Sequence, residues 1–106
     1  MQKIKTKLST AIFSDVLDEL GYKNQMLPIQ IKPNYLGAKI LGRVRTLKLK
    51  LLSENEDFKE VYKGLYFLEE LEKGEILVVG NGFSDLAFFG ELMSTLAQKK
   101  CLQGVV

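Results

Sequence analysis

Histidine is missing from the sequence altogether, and cysteine occurs once, at Cys101. Without histidine, neither a Ser-His-Asp nor a Cys-His catalytic set can be assembled, and His-ligated metal sites are excluded. A single cysteine cannot close an internal disulfide, which fits a reducing, cytoplasmic setting. Cys101 lies between Lys100 and Leu102 and reads as a small buried residue, since no base is available to activate its thiol. No apolar run approaches the ~20 residues a membrane helix needs. The charged start, Met1-Gln2-Lys3-Ile4-Lys5, lacks the hydrophobic core of a signal peptide. Any chemistry must therefore rest on carboxylates, Arg and Lys, backbone amides, or a cation held by oxygen.

What is present fits one globular domain. The 106 residues, 46% of them apolar and 26% charged, suffice for a single core. A net charge of +2 implies no strong attraction to nucleic acid. The alternating Arg43, Arg45, Lys48 and Lys50 could be a nucleic-acid contact, but they read first as a solvated strand face.

Ser9 to Leu20 reads as a helix, with Ser9 or Thr10 as its cap and Gly21 as its left-handed stop. Ile12, Phe13, Val16, Leu17 and Leu20 form one apolar stripe, and Asp15, Asp18 and Glu19 read as solvated acids away from it. Pro28 and Pro33 bracket a short extended piece, Ile29-Gln30-Ile31. Ala38 to Leu49 turns to period two, with Val44, Thr46 and Lys48 on one face and Arg43, Arg45, Leu47 and Leu49 on the other. Gly37 and Gly42 fit bends within this strand.

A second helix is expected from Phe58 to Leu71, with Val61, Leu65, Leu68 and Leu71 on one face. After a Lys73-Gly74 turn, Ile76-Leu77-Val78-Val79 reads as a buried strand, running into the tight Gly80-Asn81-Gly82 loop. A third helix starts near Glu91. Leu102, Val105 and Val106 begin another buried strand around Gly104. This order implies an α/β domain with a mixed sheet and flanking helices.

Gly80-Asn81-Gly82 is neither a dinucleotide fingerprint nor a Walker loop. Gly90-Glu91-Leu92-Met93 is more informative. The first amides of a helix lack internal partners and carry partial positive charge, so they can hold an anion. Spacing alone leaves a second reading open, in which Gly90 relieves crowding of Phe88 and Phe89 against the sheet.

At these residues the sequence resembles the RraA-like family, which includes 4-hydroxy-4-methyl-2-oxoglutarate aldolases and the regulator of ribonuclease E activity. The resemblance rests on Leu77-Val78-Val79, Gly80-Asn81-Gly82, Ala87-Phe88-Phe89-Gly90-Glu91-Leu92-Met93, Ala97 and Gly104-Val105-Val106. It extends to Ser14-Asp15-Val16-Leu17-Asp18, Leu20-Gly21, Gly42-Arg43-Val44-Arg45-Thr46 and Lys73-Gly74-Glu75-Ile76.

The resemblance implies a swivelling β/β/α, phosphohistidine-domain-like fold, assembled as homotrimers or hexamers with the site between subunits. It implies that the amides of Gly90, Glu91, Leu92 and Met93 hold the carboxylate of a pyruvate-like 2-oxo acid. Met93 in place of leucine is harmless if the backbone does the binding. The family also uses an Arg that steadies the developing enolate and an Asp that anchors a divalent cation, usually Mg²⁺. Counting forward from Glu91 places that pair past Val106, so residues 1–106 are expected to form one RraA-like domain incomplete at its C-terminus.

No catalytic or metal-ligating residue is therefore assigned within the chain, and no cofactor is expected to be held by it alone. Two activities remain open. One is metal-dependent retro-aldol cleavage of 4-hydroxy-2-oxo acids, with oxaloacetate decarboxylation, which this chain would not perform alone. The other is non-enzymatic regulation through a protein partner such as ribonuclease E. The demethylmenaquinone methyltransferase name once attached to the family finds no support, because no glycine-rich adenosylmethionine loop follows the first strand.

Overall fold

The computed structural model describes residues 8–50, 63–80 and 89–106. Among them run α1 (Thr10–Glu19), β1 (Val44–Lys48), α2 (Lys63–Glu69), β2 (Ile76–Gly80), α3 (Glu91–Lys99) and β3 (Gly104–Val105). The chain divides after Ile40 into two compact units, Met1–Ile40 and Leu41–Val106.

In the first unit α1 follows its sequence signals closely. Ser9 is extended and its hydroxyl oxygen accepts from the Ile12 amide at 3.3 Å, satisfying one of the helix's orphan donors. At the other end Gly21 takes φ +91°. The Gly21 amide donates to the Asp18 carbonyl and the Tyr22 amide to the Leu17 carbonyl, the two bonds of a Schellman stop. Asp15, Asp18 and Glu19 are exposed as expected. The apolar stripe differs from expectation: Ile12, Phe13, Val16 and Leu20 are all exposed, and α1 has no buried residue. A periodic stripe specifies which side chains share a face, but not what covers that face.

The segment between the prolines is a turn rather than extended chain, since the Ile31 amide returns to the Pro28 carbonyl. The long strand expected from Ala38 is also shorter. Gly37, at φ +80°, sits in a turn closed by the Ala38 amide and Tyr35 carbonyl, and regular pairing begins only at Val44. Just before it, Gly42 passes close to the Gly74 carbonyl oxygen, which an added Cβ would meet. The chain there packs against a turn instead of continuing a ladder.

The second unit is a three-stranded sheet in the order β1-β2-β3. Both pairings are parallel, Val44 to Ile76 through Lys48 to Gly80, and Ile76 to Gly104 with Leu77 to Val105. The described sheet is thus parallel throughout, not mixed as expected. Parallel neighbours require helical crossovers, and α2 and α3 fill those two connections.

The core is small. Leu68, Leu71 and Leu77 form its buried centre, with Leu47, Phe67, Val79, Phe89, Met93, Leu96 and Leu102 packed around it. Of the positions expected to face inward, Leu68 is buried in α2 and Leu71 just past its end; Val61 and the side chain of Leu65 lie outside what the structure describes. Strand β1 alternates as its period predicts, with Arg45 and Leu47 half-buried and Val44, Thr46 and Lys48 exposed. In β2 the first two residues are buried because the strand is paired on both sides and covered by helix. Strand β3 departs from expectation: Val105 and Val106 are exposed at 39% and 37%. An apolar run cannot distinguish a central strand from one at the sheet's edge.

Turn chemistry links these parts. Gly74, at φ +86°, completes a turn in which the Glu75 amide donates to the Glu72 carbonyl, a conformation that favours glycine. The Gly74 amide donates to the Cys101 carbonyl. Cys101 itself is exposed, not buried, and adopts φ +55° at the stop of α3. The Cys101 amide donates to Gln98 and the Leu102 amide to Ala97, repeating the bond pattern at the end of α1. A Cβ is disfavoured in this left-handed position. Cys101→Gly is therefore expected to raise stability by up to about 1 kcal/mol. Thermal melting checks this, and a lowered Tm would show that the side chain contributes more than its backbone strain costs.

Candidate anion-binding site

Helix α3 begins at Glu91, where the sequence places it, with Gly90 as its N-cap. Gly90 is extended, at φ −123° and ψ −160°, and no side chain caps the helix. The first helical hydrogen bond runs from the Ser94 amide to the Gly90 carbonyl at 2.9 Å. The amides of Glu91, Leu92 and Met93 therefore precede the internal ladder and lack a partner within the helix. Aligned peptide dipoles add a partial positive charge at this end.

The four sequence-predicted residues are thus brought together in one helical turn. Gly90, Glu91 and Leu92 are exposed, while Met93 is half-buried and its side chain packs on the core. Since backbone amides would do the holding, Met93 can anchor the turn through its side chain and still offer its N–H. A Cβ at Gly90 would meet nothing within 4 Å. Phe88, on which the crowding reading rests, lies outside the described residues. Thr95 Oγ1 donates to the Glu91 carbonyl at 2.9 Å, adding support inside the first turns.

The crossover topology fixes where this turn lies. Helix α3 carries the chain back between parallel strands β2 and β3, so its N-terminus belongs at the carboxyl end of β2. Ligands of open parallel sheets bind at that edge. Gly80, the last residue of β2, is exposed; Asn81 and Gly82 lie outside the described residues. A separate groove of about 220 Å³ runs between α3 and β3, lined by Phe89, Ala97, Leu102, Gly104 and Val105 among others. None of the four cradle residues lines it.

The structure also gathers a cluster the sequence reading missed. Glu75 is buried, with its Oε2 accepting the Glu72 amide at 2.9 Å and its Oε1 lying 3.5 Å from Arg45 Nη1. The Arg45 guanidinium sits 5.9 Å from the Phe67 ring centroid, within range of a cation–π contact. Arg45 is therefore tied to the turn before β2 and to α2 instead of forming part of a solvated basic face. The available signal was an acid placed directly before a run of apolar residues, where a carboxylate can be buried only if it is paired.

Among the described residues, no group of three or more His, Cys, Asp or Glu side chains could hold a metal ion. No helix among the described residues is long and apolar enough to cross a membrane.

The described residues of the second unit thus form a small parallel α/β arrangement with an uncapped helix N-terminus at the carboxyl edge of its sheet. The chain belongs to the RraA-like family: the family model described as Aldolase/RraA matches residues 10–106, nearly the whole sequence. Neither the curated proteins nor the solved structures gave a match.

Proposed function

We propose that the first turn of α3 binds the carboxylate of a small 2-oxo acid such as pyruvate. The observation that carries this reading is the uncapped turn at Gly90, Glu91, Leu92 and Met93, inside the segment the family model matches. The wider reading is the family's lyase chemistry: retro-aldol cleavage of 4-hydroxy-2-oxo acids and decarboxylation of oxaloacetate through a pyruvate enolate. It includes the family's swivelling β/β/α domain, assembled as a trimer or hexamer.

Within that chemistry these residues bind and orient. Three converging N–H groups fix the carboxylate and so aim the adjacent carbonyl. The stretch from Leu92 to Val106 contains neither Arg nor Asp, so the Arg-Asp pair that the family uses on the enolate and the cation has no counterpart within it. In this reading the role assigned to these residues is to bind and orient the substrate, and the cleavage step is assigned to none of them.

A titration with pyruvate, followed by amide NMR, tests the cradle. Shifts concentrated at Glu91, Leu92 and Met93 are expected, and a uniform or absent response would refute it. Glu91→Pro removes one N–H while fitting the first helical position, and the extended Gly90 before it tolerates a following proline. Glu91→Ala is the control for the lost charge. Loss of one charge-assisted bond, about 1.5–3 kcal/mol, predicts that the proline variant binds pyruvate at least about tenfold more weakly than the alanine variant.

A second reading, resting on the same family membership, is a non-enzymatic regulator that binds a protein partner such as ribonuclease E. Oxaloacetate turnover tests this second reading. The 106-residue chain with Mg²⁺ is expected to release no pyruvate above the uncatalysed rate. Turnover by this chain would assign it catalytic groups and reject the regulatory reading.

A further inference from the structure

We draw no further inference here: the strongest candidate, the apolar groove between α3 and β3 lined by Phe89, Ala97, Leu102 and Val105, carries nothing because nothing in the structure shows what covers it.

Discussion

Leu77→Ala is expected to destabilise the protein by about 2–5 kcal/mol, enough to leave much of it unfolded given the ~5–15 kcal/mol available to a typical domain. Leu77 is fully buried as the second residue of β2, the central strand of the described sheet, and clusters with Leu68 and Leu71. Truncation removes apolar area and leaves a cavity, and the two terms add. The surroundings have little freedom to collapse, because β2 is held by parallel ladders on both sides. Urea unfolding measures the effect as a fall in midpoint at unchanged slope. Leu77→Met conserves volume and should cost less than about 1.5 kcal/mol. An alanine variant with the same midpoint as the parent would mean that Leu77 is not in the core.

Gly42→Ala should have the second largest effect, about 1–3 kcal/mol or more. The added methyl would run into the Gly74 carbonyl oxygen, a backbone atom rather than a movable side-chain end. That turn is held from two directions, by the Gly74 amide on Cys101 and the Glu75 amide on Glu72. The collision can therefore be relieved only by shifting the segment that leads into β2. Gly80→Ala is the internal comparison, since a Cβ there meets nothing within 4 Å among the described residues. Its midpoint should stay near the parent's. Equal losses in the two variants would show that a general cost of replacing glycine, and not the close approach, dominates.

The sequence made several elements legible because their signals are local. Ser9 and Gly21 mark the ends of α1 through bonds made within a few residues. Glu91 begins α3 because Gly90 interrupts helical preference just before it. The inward positions Leu68 and Leu71 and the buried start of β2 follow from apolar spacing. The misreadings share a different origin, in contacts between distant segments. Gly42 lies close against Gly74, and Arg45 is withdrawn from the basic face by Glu75 and Phe67. Cys101 looked buried from its apolar neighbour, but its position at a helix stop turns it outward. Val105 looked like core, although its strand lies at the end of the sheet order. The candidate cradle lies between these cases. Its helix start was readable from Gly90 alone, whereas its place at the carboxyl edge of the sheet depends on the parallel pairing of β2 with β3.

That parallel pairing also governs how the chain reaches its fold. Neither ladder of β2 can gain its first hydrogen bond until an entire helical crossover has been closed, and the entropy of closure must be met before pairing returns anything. Helices α2 and α3 can form from local bonds in about a microsecond, well ahead of the sheet. During that interval Ile76-Leu77-Val78-Val79 is an unpaired apolar strand with high β propensity, the kind of segment that seeds aggregation. Glu75 stands immediately before it. The carboxylate that anchors a turn in the native state thus also acts as a charged gatekeeper during folding, when β2 has no partners.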